Sequence, residues 1–139
     1  MNKIILATDG STFSDAAARY LADNSLLNHD LTVHVVHCEP DVTGDIQAFV
    51  SRSDIDAWHH DKSRQAMQSV VDILQAGGLA FECHELTGFT PERIVEYAAE
   101  IGSAAIVMGS HHRNPVVSAI IGSVSGRVLA HAPCPVLLV

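Results

Sequence analysis

The sequence predicts an α/β domain in which a doubly wound, five-stranded parallel sheet carries helices on both faces. Short apolar runs alternate with longer amphipathic stretches along the whole chain, which is the pattern of βαβ units. A length of 139 residues fits one ordinary domain. An apolar fraction of 47% is enough to fill the core of a domain of this size.

The first half of the chain predicts two strands and two helices. Residues 4–7 are continuously apolar, as expected for a strand covered on both faces, and residues 31–38 are rich in β-branched residues. Between them, residues 12–27 predict a helix, with Thr12 as its cap in a capping box closed by Asp15. A long loop, residues 39–52, precedes a second helix. That helix covers residues 54–75 and ends before two glycines.

The second half predicts three more strands, separated by two helices. The strands cover residues 79–86, 104–108 and 135–139. The third helix, residues 90–101, begins at Thr90-Pro91-Glu92, which supplies a capping hydroxyl, a proline in the first turn and an acid at the positive end of the dipole. After a loop over residues 110–118, a fourth helix over residues 122–131 ends before a proline.

The charge and cysteine content narrow the classes of function. The formal net charge of −8 opposes the phosphate attraction on which nucleic-acid binding depends, and it disfavours an anionic membrane surface. The sequence shows no signal-peptide or transmembrane pattern. Three widely spaced cysteines, Cys38, Cys83 and Cys134, suit free thiols in a reducing compartment. We therefore expect a cytoplasmic protein.

Topology indicates where a binding site should lie. A doubly wound sheet opens a crevice at the carboxyl ends of its strands, where neighbouring connections leave in opposite directions. If the strand order is 3-2-1-4-5, this crevice lies between the first and fourth strands, and the loops that border it begin at Asp9 and Gly109.

Four segments carry a resemblance over essentially the full length. They are residues 7–11 (Ala-Thr-Asp-Gly-Ser), 108–113 (Met-Gly-Ser-His-His-Arg), 122–125 (Gly-Ser-Val-Ser) and 131–136 (His-Ala-Pro-Cys-Pro-Val). In order and spacing they resemble the universal stress protein family, so that residues 1–139 form one such domain. The resemblance implies a Rossmann-like fold of the adenine nucleotide alpha hydrolase type, with strand order 3-2-1-4-5. It also implies a homodimer and, in one branch of the family, bound ATP.

The nucleotide motif of that branch is incomplete here. Gly109, Gly122 and Ser123 match its first, third and fourth marked positions, whereas His112 stands where the second glycine is expected. Glycine would let the backbone approach phosphate and adopt a positive φ at little cost, and histidine adds a Cβ and a ring. Pro115 has no N–H to donate. The phosphate-binding part of the site is therefore predicted to be degenerate.

Three functions remain open. The first is a dimeric stress-response regulator of the non-nucleotide type that acts through unidentified protein partners. The second binds ATP or AMP through Asp9, Gly109, Gly122, Ser123 and Ser125. In this second function, Asp9 accepts from ribose or adenine, as the resemblance implies, and the N-terminus of the last helix receives phosphate.

The third is a metal protein or enzyme that uses the histidine-rich carboxyl edge, with His37, Cys38, His111 and His112 as ligand types. No metal ligands or catalytic residues are assigned, because the chain has no local ligand pair, no nucleophile elbow and no Walker lysine. Arg113 is the only cation predicted near the crevice.

The last strand predicts the dimer interface. It begins at Pro135 and ends at Val139, it carries no charge that would discourage pairing, and in the order 3-2-1-4-5 it lies at a sheet edge. The resemblance implies the same homodimer, in which two terminal strands join.

Overall fold

The computed structural model describes residues 2–24, 30–42, 48–110 and 122–139. Within these ranges the strands are β1 (Asn2–Ala7), β2 (Leu31–Glu39), β3 (Ala80–Thr87), β4 (Ala105–Met108) and β5 (Val136–Leu138). The helices are α1 (Thr12–Asp23), α2 (Arg52–Ala76), α3 (Thr90–Ile101) and α4 (Ser123–His131). None of these helices combines the length and the apolar character needed to cross a bilayer.

The sheet has the order β3-β2-β1-β4-β5, and every pair of neighbouring strands is parallel. This confirms the predicted fold class and strand order. The register aligns Ala7 at the end of β1 with Met108 at the end of β4. The connections that follow these two strands therefore leave the sheet side by side, at the predicted switch point.

Two hydrophobic cores lie on opposite faces of the sheet. The first core joins β1, β2 and β4 to α1 and α2, and α2 contributes Met67, Val70 and Leu74 to it. The second core joins the alternate strand residues to α3 and α4, and it includes Ile94 and Val128. Side chains in a strand point alternately to the two faces, so the same apolar strands supply both cores.

Three predicted helix boundaries are wrong in detail. α1 ends at Asp23, because Asn24 has an extended backbone; residues 25–27 of the predicted helix lie outside the described residues. Its cap is Ser11, not Thr12, and the carboxylate of Asp15 accepts a 2.6 Å hydrogen bond from Ser69 on α2. α2 starts at Arg52, two residues earlier than predicted, because Ser51 caps it by accepting from the Asp54 N–H.

The start of α3 differs by one residue. Phe89 is its N-cap, and Thr90 is already helical, with Pro91 in the first turn as predicted. Thr90 is therefore not the capping residue. The Cys38 thiol donates to the Gly88 carbonyl oxygen at 3.7 Å, so the carboxyl end of β2 contacts the turn that leads into α3.

The segment of α2 around Trp58 has an aromatic residue at the surface and a histidine in the interior. In the structure Trp58 is half exposed, whereas His59 is buried. His60 is on the surface, where it contacts Glu85 at 2.5 Å.

Candidate functional site

A crevice of about 500 Å³ opens at the carboxyl ends of β1 and β4. This volume lies within the range of small-ligand pockets. All five residues predicted to bind nucleotide line it: Asp9, Gly109, Gly122, Ser123 and Ser125. Val36 and Ile94 add apolar surface to its wall. The structure therefore brings together, around one cavity, residues separated by more than 100 positions in the sequence.

Asp9 is held by the turn that links β1 to α1. Its Oδ1 accepts from the Ser11 N–H at 3.0 Å and from the Ser14 hydroxyl at 3.1 Å. The hydroxyl of Thr8 donates to Ser14 at 3.0 Å and accepts from the N–H of Gly10, whose φ is +81°. Glycine adopts that conformation without the strain that a Cβ would add. The turn thus orients the Asp9 carboxylate before any ligand arrives.

The ionisation of Asp9 depends on the same turn. Burial by itself would raise the pKa of this carboxyl, but hydrogen bonds from the Ser11 side chain and backbone and from Ser14 outweigh it. The pKa of Asp9 therefore lies below its ordinary value of 3.8. Hydrogen bonds to a carboxylate stabilise its charged form. At neutral pH Asp9 is an acceptor for hydroxyl or amino groups of a ligand.

Gly109 permits β4 to pass close to the start of α1. A Cβ at this position would clash with the carbonyl group of Phe13 and would lie 2.7 Å from the Ser14 nitrogen. The glycine is therefore required for packing between the two connections that border the crevice. A role in approaching phosphate is not needed to explain it.

The N-terminus of α4, which follows β4 in the chain, also borders the crevice. Gly122 is its N-cap and supplies no side-chain cap, and the first intrahelical bond runs from the Gly126 N–H to the Gly122 carbonyl at 2.8 Å. The N–H groups of Ser123, Val124 and Ser125 precede that bond, so they have no partner within the helix. Together with the helix dipole, such groups favour an anion.

Two of the predicted metal-ligand types at this edge are explained by structural contacts. His37 is buried; its Nδ1 lies 2.8 Å from the Thr8 carbonyl oxygen and its Nε2 lies 2.7 Å from a Glu39 carboxylate oxygen. Both ring nitrogens thus already lie within hydrogen-bond distance of an oxygen, so a metal could bind His37 only by displacing one of these contacts. Burial raises the pKa of the Cys38 thiol, which keeps it protonated and poorly nucleophilic.

The remaining residues of the histidine-rich edge cannot be placed. His111, His112, Arg113 and residues 114–115 lie outside the described residues. Nothing in the structure therefore tests the predicted effect of His112, and the metal hypothesis for this edge has no described ligand set.

Sequence analysis missed a second cation and a groove beside the crevice. Arg127 lies one turn after Ser123 on α4, and its guanidinium carbon is 5.2 Å from the centre of the Phe89 ring. Both residues line a groove of about 510 Å³ that shares Thr90, Ser123 and Val124 with the crevice. The i, i+4 spacing of Ser123 and Arg127 was the available signal, because such residues share one helix face.

Comparison with known proteins gives a match over the whole chain. The model of the universal stress protein family matches residues 1–139. A universal stress protein of Methanocaldococcus jannaschii is 29% identical, and the alignment covers 99% of this chain and 81% of that protein. One from Thermus aquaticus is 32% identical, over 98% of this chain and 96% of its own length. The universal stress protein Slr1230 of Synechocystis is longer, and this chain spans only 42% of it at 27% identity.

Solved structures agree in fold. A universal stress protein from Archaeoglobus fulgidus superposes with a TM-score of 0.75 at 26% identity, covering 99% of this chain and 93% of that one. A structure of the universal stress protein from the same organism in complex with dAMP has a TM-score of 0.70 at 26% identity, over 99% and 96% of the two chains.

Proposed function

Since the chain belongs to the universal stress protein family, we propose that it is a regulatory protein whose crevice binds an adenine nucleotide, AMP in preference to ATP. The single observation that carries this proposal is the shared cavity. An oriented carboxylate, Asp9, and the N-terminus of α4, which has no side-chain cap among the described residues, line the same 500 Å³ crevice. The first suits the hydroxyl or amino groups of a nucleoside, and the second suits a phosphate.

The known ligand of a relative supports the nucleoside monophosphate class. The Archaeoglobus fulgidus protein, 26% identical to this chain, was solved in complex with dAMP. One phosphate at the α4 N-terminus would be enough for such a ligand. Additional phosphates would need donors from the segment around His112, which lacks a motif glycine and contains Pro115. The preference for AMP over ATP follows from that difference.

The proposal is tested by calorimetric titration of the purified protein with AMP and with ATP, in the presence and absence of magnesium. Micromolar binding of AMP, about −8 kcal/mol, with weaker binding of ATP is the expected result. His112→Gly should strengthen ATP binding and so reduce the difference between the AMP and ATP affinities. The absence of heat and of a thermal shift with both nucleotides would overturn the proposal, and it would favour the non-nucleotide function through protein partners.

A charge reversal tests the α4 N-terminus directly. Ser123→Asp places a carboxylate at the first position of α4, where it favours the helix dipole but repels a phosphate. We expect nucleotide affinity to fall at least about tenfold, about 1.4 kcal/mol, while stability is retained. Ser53→Asp makes the same change near the start of α2, at a position that is also exposed and lies outside the crevice. Equal affinity loss in both variants would show that the effect is not local.

We also infer that the protein is a homodimer joined through the terminal strand, β5. The carbonyl of Pro135 and the N–H of Val139 form hydrogen bonds with β4. The backbone N–H and C=O groups of successive residues in a strand point alternately to its two sides. The backbone groups of Val136 and Leu138 therefore point away from β4. Leu137 is 39% exposed. An uncharged edge of this kind is suited to pairing with a second copy.

Light scattering after gel filtration tests the dimer. Leu137→Lys places a charge on the edge strand and should give a monomer. Tyr20→Lys changes a residue of matched exposure on α1 and should leave the dimer intact. A dimer that survives Leu137→Lys unchanged would exclude this strand as the interface.

The proposed role is binding in the cytoplasm and not catalysis. Cys38, Cys83 and Cys134 are all free cysteines, which suits a reducing compartment. Cell fractionation checks the location. Hydrolysis of ATP or AMP by the pure protein, lost in Ser123→Asp, would contradict the non-catalytic role.

A further inference from the structure

A cluster of two histidines, a glutamate and a tyrosine lies on the α3 face of the sheet, away from the crevice. His34 is on β2, Glu82 and His84 are on β3, and Tyr97 is on α3. The β2–β3 register puts His34 beside Glu82 and Val36 beside His84. Residues 82 and 84 are two apart in one strand, so their side chains emerge on the same face. Tyr97 approaches them from the helix above.

Polar atoms of this cluster converge within short distances. His34 Nδ1 lies 3.1 Å from His84 Nε2 and 3.9 Å from a Glu82 carboxylate oxygen. His84 Nε2 lies 3.3 Å from that same oxygen. Zinc–nitrogen bonds of 2.0–2.1 Å in a tetrahedral site place neighbouring ligand atoms about 3.3 Å apart. The three separations therefore bracket the spacing that one tetrahedral ion requires.

Hydrogen bonding alone does not explain why these polar atoms lie so close together. Nδ1 of His34 has both His84 Nε2 and the Tyr97 hydroxyl at 3.1 Å. A ring nitrogen carries either one hydrogen or one lone pair in the ring plane, so it forms one well-directed hydrogen bond. A cation between the two imidazoles and the carboxylate satisfies all three ligand atoms at once. Tyr97 then lies beside the site and does not hydrogen-bond His34 Nδ1.

Burial also suits a metal ion. The side chain of His34 is only 7% exposed, whereas those of His84 and Glu82 are 31% and 60% exposed. An ion can therefore enter from solvent and meet a ligand fixed in the sheet.

We propose that His34 Nδ1, His84 Nε2 and the Glu82 carboxylate form a binding site for a divalent transition-metal ion of the zinc class. Two imidazoles and a carboxylate are a donor set that zinc uses, with a further position left to water. The ion would link β2 to the edge strand β3. This site is separate from the crevice residues and does not depend on nucleotide binding.

The test is a titration of the full chain, purified without a histidine tag and freed of metal with EDTA, with Zn²⁺ alone. One ion per chain, bound with a micromolar or tighter Kd, is expected. His84→Gln and Glu82→Gln should each weaken binding at least tenfold. His60→Gln is the matched control, because it removes one member of another histidine–glutamate pair on the surface, with Glu85, and should leave Zn²⁺ affinity unchanged.

Cobalt(II) distinguishes this site from the thiols. Co²⁺ bound to imidazole and carboxylate gives visible absorption bands without the near-ultraviolet band of a thiolate ligand. Three results would each overturn the proposal. They are equal Zn²⁺ affinity in the native chain, His84→Gln and Glu82→Gln, a thiolate band with Co²⁺, and Zn²⁺ binding weaker than millimolar. Both substituted residues are on the edge strand and partly exposed, and thermal unfolding of the metal-free variants confirms that they fold.

Discussion

The two faces of the sheet are built from the same strands, yet they differ in chemistry. On the face under α1 and α2, the middle of β2 contributes the buried residues Val33 and Val35. On the face under α3 and α4, the alternate positions are His34 and Val36. Tyr97 on α3 then packs beside the apolar core of that second face.

This difference separates stability from binding. A face filled with aliphatic side chains gains free energy from burial and offers no polar group to a ligand. A face that buries a histidine must supply hydrogen-bond partners or a metal for it. The α3–α4 face holds the histidine cluster, and its helices border the crevice together with the start of α1. We therefore expect substitutions in the aliphatic interior of the first face to change stability, and those in the histidine cluster to change binding.

The largest effect is expected from Leu74→Ala on α2. Leu74 is completely buried in the first core, so its truncation should lower the free energy of unfolding by about 2–5 kcal/mol. Urea denaturation measures the change, and Leu74→Met, which retains volume, should cost less than about 1.5 kcal/mol. Zn²⁺ and AMP affinities of the folded variant should be unchanged. A loss of either affinity would show that the two faces are coupled.

The second-largest effect on stability is expected from substitution of one of the two motif glycines, Gly109. Gly109→Ala drives a methyl group into the backbone at the start of α1; overpacking of this kind costs about 1–3 kcal/mol. It should also lower AMP affinity, because the same turn orients Asp9. Gly122→Ala is the control: the described residues leave the space around an added Cβ open, and its φ is −56°. Equal destabilisation by both substitutions would contradict the packing role assigned to Gly109.

Much of this architecture was predictable from the sequence, for a physical reason. Alternation of apolar runs with amphipathic stretches reflects burial on both sheet faces, so it identified the strands, and the family resemblance supplied their order. The crevice residues Asp9 and Gly109 followed from topology, since they end neighbouring strands. Nothing in a single sequence, however, gives the register that places His34 beside Glu82.

Other features depended on contacts that local patterns do not encode. The predicted capping role of Asp15 was wrong because a partner on α2, Ser69, captures its carboxylate. The requirement for glycine at position 109 depends on how closely α1 approaches β4. His37 can be buried because oxygen atoms of Thr8 and Glu39 lie within hydrogen-bond distance of its two ring nitrogens.

A smaller effect on stability is expected from His34→Leu, on the second face. Leucine keeps the site filled, and the groups left behind, His84 and Tyr97, are partly exposed to water. Removing a polar group without leaving a buried one unsatisfied is nearly neutral. In EDTA we expect a change within about 1 kcal/mol by urea denaturation, together with complete loss of tight Zn²⁺ binding. A large destabilisation in EDTA would make the cluster a hydrogen-bonded stability element and not a metal site.

The smallest effect is a pH dependence at Asp9, where the carboxyl pKa lies below 3.8 in the folded state. A carboxyl group with a depressed folded pKa contributes stability above its unfolded pKa and loses it as the pH falls through the folded value. The difference in Tm between the native chain and Asp9→Asn should therefore be constant from about pH 7 to pH 5 and shrink below about pH 4. Ser14→Ala, which removes one donor to Asp9, should reduce the same dependence in part. A difference that does not change with pH would mean that the charge of Asp9 contributes nothing to the stability of the turn.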